Sequence, residues 1–277
     1  MSTITIGYSP CPNDTFIFDA LVHEKIDTEG LHFEPILEDV EALNRRALAG
    51  SLCVTKLSYH AFAHLTNQYQ LLDAGSALGY GCGPLLIASR PLSEADINAG
   101  PIAIPGILTT ANFLLGMAFP HAQNKREMLF SNIEDAVLRG DVLAGLIIHE
   151  NRFTYTQKGL HCLLDLGAWW EQQTGLPIPL GGIAVRRDLE PALQQRINRA
   201  LRRSVEYALA HPEEPMPYVR QHAQAMEDAV MLAHIRLYVN DFSRSLGSIG
   251  RQAVTQMLRI GRDAGVIPAY REDFFID

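Results

Sequence analysis

Short apolar runs alternate with amphipathic stretches along the first half of the chain. Strand patterns at 3–9, 32–37 and 52–57 are each followed by a helical one, at 14–24, 39–49 and 58–66. In the second of these helices Val40, Leu43, Ala47 and Leu48 fall on one face, with Asp39 placed to cap it and Gly50 to stop it. A βα order of this kind predicts a mainly parallel sheet covered on both faces. The glycine-rich GSALGYGCGPLLIASR (75–90) runs into another strong strand, after which PLSEADINAG (91–100) reads as a polar linker. Beyond it the alternation resumes, with strands at 101–105, 125–130 and 142–148. Helices are predicted at 109–119 and 131–140, the latter with a Ser131/Glu134 capping box. LGGIAVRR (180–187) is one more strand, and from Pro191 onward the pattern is almost wholly helical, with Ile197, Leu201, Val205 and Ala208 spaced for one buried face.

The C-terminal third has no βα units of its own, so its helices are best used to cover the first sheet. The chain must then leave a first lobe and return to it. This divides it into a larger discontinuous lobe, 1–90 with 185–277, and a smaller lobe, 91–184. Two crossings, near 88–100 and 178–185, would act as the hinge, and the cleft between the lobes is where a ligand is commonly held.

The N-terminal corner GYSPCPNDTFIF (7–18) breaks a strand with two prolines and restarts as a helix. Asn13 and Asp14 stand where a side-chain oxygen caps free helical amides, and such a helix start favours an anion. The alternative is a tight loop that only closes packing. Both readings stay open on the segment alone.

Composition narrows the ligand. The 277 residues, 47% hydrophobic and 19% charged, are ordinary for a globular chain, and a formal charge of −8 without any long Lys/Arg run argues against nucleic acid or an anionic membrane as partner. No stretch resembles a signal peptide or reaches the length of a membrane span, so a cytoplasmic location is expected. Cys11, Cys53, Cys82 and Cys162 are scattered without a C-x-x-C pair, which fits reduced thiols and no structural metal.

Several segments carry candidate chemistry. PGILTTANF (105–113) sets Thr109 and Thr110 at a helix start, where hydroxyls and amides can converge on a carboxylate or phosphate, or where a threonine simply caps the helix. TKLSYHAF (55–62) brings Lys56 and Ser58 to a strand exit, the edge where α/β sheets bind ligands, although on the segment alone a solvated lysine beside a capping serine is the preferred reading. His60 and His64 have i, i+4 spacing without the glutamate of a zinc motif. In LIIHENRFTY (146–155) His149 directly follows a buried strand, and a partly buried imidazole is suited to taking a proton, although on the segment alone a hydrogen-bonded structural histidine is the preferred reading; Glu150 and Arg152 can orient it or pair with each other. Cys11 lies between prolines at a helix start, but nothing in the sequence ties a histidine to it. The glycines of GYGCG (79–83) lack dinucleotide spacing, and Trp169 and Trp170 either line the cleft or fill the smaller lobe's core.

Taken together, SPCPNDTFIF (9–18), LEDVEALNRRAL (37–48), TKLSY (55–59), Thr109–Thr110, LIIHENRFTY (146–155), DLGAWWEQQTGLPIPLGG (165–182) and SVEYALAHPEE (204–214) closely resemble the 1,4-dihydroxy-6-naphthoate synthase family of the futalosine route to menaquinone. The likeness runs nearly end to end. It implies an α/β fold of two lobes like the type II periplasmic binding proteins, with mixed sheets and a cleft between lobes. It also implies a carbon–carbon lyase that acts on cyclic dehypoxanthine futalosine, a small aromatic carboxylate, without a cofactor. Under that resemblance His149 corresponds to the base, Lys56, Leu57, Ser58, Thr109 and Thr110 to substrate-binding positions, and Asn13 and Asp14 to a wall of the cleft. Alternatives on the same fold are a binding protein for aromatic acids and an enzyme like chorismate dehydratase.

Overall fold

The computed structural model describes residues 3–223 and 227–276. Eleven strands are formed among the described residues: β1 Thr3–Tyr8, β2 His32–Leu37, β3 Val54–Ser58, β4 Tyr69–Leu71, β5 Ala77–Gly79, β6 Leu85–Ala88, β7 Ile102–Ile104, β8 Lys125–Glu127, β9 Ala144–Ile147, β10 His161–Asp165 and β11 Ile178–Arg186. They make two sheets. The first has the order β2-β1-β3-β11-β4, with β5 also on β11; the second has the order β10-β6-β9-β7-β8.

The sheets are mixed, as the family resemblance implies, and not mainly parallel as the βα order alone predicts. β1 pairs in parallel with β2 and β3, and β7 with β8 and β9. By contrast β11 runs antiparallel to β3, β4 and β5, and β6 is antiparallel to β9 and β10. The βα rhythm correctly marks the parallel pairs β1–β2, β1–β3, β7–β8 and β7–β9, but β6 and β11 each carry the chain into a sheet from the other lobe and so enter against the grain. Sheet membership also moves the crossings. β6 already belongs to the second sheet, so the chain leaves the first between Gly79 and Leu85, upstream of the expected 88–100, and returns between Thr174 and Ile178. The supposed linker instead holds helix Glu94–Ala99, closed by a capping box between Ser93 and Asp96.

Other boundaries shift for local reasons. The first helix begins at Pro12, with Cys11 in the capping position, so Asn13 and Asp14 lie in its first turn and cap nothing. Pro12 is tolerated there because its missing amide would have had no helical partner. The expected Ser131/Glu134 box does not form: residues Phe130–Asn132 make a tight turn, the helix is Ile133–Arg139, and no side chain caps it. Glu134 is buried and instead accepts from Asn151 and Lys158.

Helix Pro191–Ala210 covers the first sheet, with Ile197, Leu201 and Val205 in one apolar cluster with Ile4, Ile6 and Ile17. Ser204 ties it to the first helix, donating to the Ile17 carbonyl at 2.6 Å and accepting from the Leu21 amide at 3.0 Å. The chain then ends beside β4, where Leu71 and Phe275 bridge. Trp170 is fully buried and donates to the Pro177 carbonyl, so it fills the core; neither tryptophan lines the cavity. Among the described residues no helix is long and apolar enough to cross a membrane.

Candidate active site

The two sheets face each other across a cavity of about 660 Å³ including its mouth. That is a volume suited to a small molecule. Its walls come from the first corner (Ser9, Asn13, Asp14), the end of β3 (Lys56, Ser58), the loop and helix at Thr109–Ala111, the exit of β9 (Ile148, His149), the Leu180–Gly181 stretch of β11, and His234 and Tyr238.

The corner at 9–14 is organised around one carboxylate. Asp14 is 1% exposed and accepts from the Ser9 amide at 3.1 Å, the Ser9 hydroxyl at 2.7 Å, the Asn13 amide nitrogen at 2.8 Å and the Lys56 ammonium. Lys56, 6% exposed, is therefore neither a solvated surface lysine nor a free positive charge for a ligand acid, because Asp14 already balances it. Ser58 accepts from Asn44 at 3.2 Å, while its own amide donates to the Asn44 carbonyl oxygen at 3.0 Å. Its hydroxyl hydrogen is left for the cavity. Leu57, between them, points its side chain into the core and does not line the cavity.

The threonine pair stands at the expected helix start, Thr110–Ala118, but its hydroxyls face inward. Thr109 donates to the Gly106 carbonyl at 2.8 Å and accepts from the Asn112 amide, and Thr110 donates to the Leu180 carbonyl at 2.7 Å. The donors left at this helix start are the first backbone amides, Thr110 and Ala111, which have no acceptor inside their own helix. They form a ready site for a carboxylate, helped by the helix dipole.

His149 sits two residues after β9, opposite the corner. Its backbone is in the left-handed region, at φ 56°, a conformation histidine visits more often than most residues but at a cost on the order of 1–3 kcal/mol. Its Nδ1 lies 3.4 Å from Cys11 Sγ, and its ring meets Phe130 edge-on at 5.0 Å. Burial lowers its pKa below the ordinary 6.5, opposed by the carboxylates of Glu150 and Asp14 and reinforced by Lys56. The imidazole is therefore neutral near pH 7, able to accept a proton. Glu150 does not pair with Arg152. That guanidinium donates to the Gly83 carbonyl at 3.0 Å and pairs with Asp165, bracing the loop after His149 against the first crossing.

Sequence reasoning missed two members of the site. Cys11, set aside for want of a partner, touches His149. His234, fully buried in helix Asp228–Tyr238, has a ring nearly parallel to that of His149 at 6.2 Å. Asn13 donates its amide to Asp14, so its carbonyl oxygen must accept the 2.9 Å bond from His234 Nε2, and Nδ1 is left without a partner. Burial, with His149 and Lys56 nearby, pushes the His234 pKa well below 6.5 and keeps it neutral. A signal existed in the sequence: Met231, His234, Ile235 and Tyr238 follow the spacing of one apolar helix face. His60 and His64 lie apart from this cavity, edge to face at 5.4 Å with His60 against Phe113, and no group of three potential metal ligands occurs among the described residues.

The lobes are in contact over the cavity. Glu41, buried on the first lobe, accepts from the Leu108 amide of the second at 3.3 Å, and Arg45 pairs with Glu127. Gly106 leaves room for this contact: a Cβ there would come within 2.4 Å of the Glu41 carboxylate, which would have to shift.

Two lobes, each built on a mixed sheet, with polar groups converging on the seam between them, define the periplasmic-binding-protein-like class. An alkanesulfonate-binding protein from Xanthomonas axonopodis shares this fold with a TM-score of 0.72 at 13% identity, the alignment covering all of this chain and 96% of that one. The chain belongs to the menaquinone biosynthesis family, whose pattern it matches over residues 4–263. It is 48% identical to a 1,4-dihydroxy-6-naphthoate synthase of Thermus thermophilus across the full length of both, and 41% identical to one of Streptomyces coelicolor over 98% of this chain and 97% of that relative. A crystal structure of a protein from Archaeoglobus fulgidus superposes with a TM-score of 0.91 at 37% identity, over 96% of this chain and 98% of that one.

Proposed function

We propose that the protein is a carbon–carbon lyase that converts cyclic dehypoxanthine futalosine into 1,4-dihydroxy-6-naphthoate, with His149 as the base and no cofactor. The observation that carries this reading is a neutral imidazole held in the wall of the cavity between the lobes, opposite donors suited to a carboxylate, in a chain nearly half identical to a relative of that name. His149 takes the proton next to the substrate ketone, and the electron pair passes to the carbonyl oxygen as an enolate. Hydrogen-bond donors of the wall, Ser58 Oγ–H among them, stabilise that oxygen. The bond to the sugar-derived fragment then breaks with its electron pair leaving on that fragment, which takes a proton back from the His149 imidazolium, and the bicyclic ring becomes aromatic, which drives the step forward. The aromatic carboxylate is held by the Thr110 and Ala111 amides, and the neutral Lys56–Asp14 pair shapes the opposite wall.

Purified protein incubated with cyclic dehypoxanthine futalosine should release the naphthoate, read by absorbance and mass. His149→Ala should abolish turnover while leaving ligand affinity within about tenfold, the pattern of a lost proton-transfer group. Full turnover by that variant would remove His149 from the mechanism.

A further inference from the structure

Cys11 and His149 come from opposite lobes, 138 positions apart, and their side chains meet at 3.4 Å between Sγ and Nδ1. We propose that Cys11 is the positioning residue of His149: its sulfur accepts the Nδ1–H hydrogen, which fixes the ring in the tautomer whose basic nitrogen, Nε2, is free for a ligand in the cavity. The inference rests on the reading of His149 as the base.

The two possible hydrogen arrangements have opposite chemical consequences. If the thiol donated to Nδ1, the neutral ring would carry its hydrogen on Nε2 and could offer a cavity ligand no lone pair. If Nδ1 donates to the sulfur, Nε2 is a base, and the imidazolium formed after proton transfer keeps the same Nδ1–H···S contact without reorganising. Glu150 and Asp14 both stabilise positive charge on this ring, and the thiol, raised by burial, remains neutral and cannot take the proton itself. The groups acting on the ring are thus Glu150 on its own loop, Cys11, Asp14 and, more distantly, Asp39 and Lys56 on the first lobe, and neutral His234 stacked beside it.

The arrangement links closure to chemistry. His149 is held by its own lobe in a left-handed conformation, but the partner of its Nδ1 is supplied by the helix start of the other lobe. Closure, marked by Glu41 on the Leu108 amide, is therefore also what sets the base.

The test is nitrogen NMR of protein labelled at histidine, with the His149 signals assigned by their loss in His149→Gln. Wild type should show Nδ1 protonated and Nε2 bare. Cys11→Ala should shift His149 toward the Nε2–H form that prevails for free histidine, and Cys11→Ser, whose hydroxyl also accepts, should restore the wild-type pattern. In turnover, Cys11→Ala should lower kcat by about tenfold to a hundredfold with KM within about threefold, and Cys11→Ser should recover most of the loss. If Cys11→Ala does not fold, Cys11→Val fills the thiol's space without an acceptor and is read in its place. An Nε2–H tautomer in wild type, or an acceptor-free variant with wild-type tautomer and kcat, overturns the proposal. If the substrate is not turned over at all, the proposed function fails, while the tautomer measurement still decides the role of Cys11.

Discussion

Lys56 and Asp14 show what the interior asks of a single side chain. Removing only the lysine, as in Lys56→Met, strands a carboxylate that is 1% exposed, and the loss of a buried partner typically costs about 3–5 kcal/mol. The double variant Lys56→Met with Asp14→Asn should recover much of that loss in urea unfolding. Equal stability of the single and double variants would show that the ion pair is not what holds the corner. The importance of both positions was legible in the sequence, but their pairing was not, because 42 positions separate them and only the adjacency of β1 and β3 brings them together. His149 was easier to find, since an apolar strand pattern ends immediately before it. His234 was not, since on an apolar helix face a histidine looks like any packed residue until its Nδ1 is seen to lack a partner.

At the scale of elements, the start of helix Thr110–Ala118 is the proposed anion site, and the loop before it touches the first lobe through the Leu108 amide and Glu41. Their position was legible from Thr109, Thr110 and the preceding strand. The use of the hydroxyls was not, because the Leu180 carbonyl that takes Thr110 comes from a strand 70 positions later. Gly106→Ala tests the closing surface. The added methyl group meets the Glu41 side chain, so that carboxylate must shift and gives up the Leu108 amide, which weakens the contact between the lobes. Small-angle scattering should then report a larger radius of gyration than wild type, and substrate affinity should fall about tenfold, equivalent to about 1.4 kcal/mol. An unchanged scattering profile and affinity would remove this contact from closure. The capping residues illustrate the same limit: Asp39 caps its helix as read, accepting from Glu41 and Ala42, whereas Ser131 and Glu134 had the right letters but a tight turn and a buried network claimed them.

For the whole molecule, buried neutral histidines make stability depend on pH. His234 is held well below 6.5 and His60 is lowered to about 4, both chiefly by burial. Unfolded, each binds a proton near pH 6.5; folded, neither does until far lower. The unfolded state therefore gains protons first, and stability falls as pH drops below 6.5, by about 1.4 kcal/mol per pH unit for each group while the difference lasts. Urea unfolding between pH 7 and 5 should show this slope, and His60→Gln, outside the cavity, should flatten it. An unaltered slope in that variant would mean that other groups carry it. Read as a string, the chain already holds the periodicities, caps and breakers that make most of its elements, because those depend on neighbours within a few residues. It also holds the motifs that mark one wall of the site. Tertiary structure alone decided which strands run antiparallel, that Lys56 is neutralised, that the threonine hydroxyls turn inward and that Cys11 meets His149. Each of these depends on distant segments brought within hydrogen-bonding reach, and no local pattern of residues encodes a contact between two lobes.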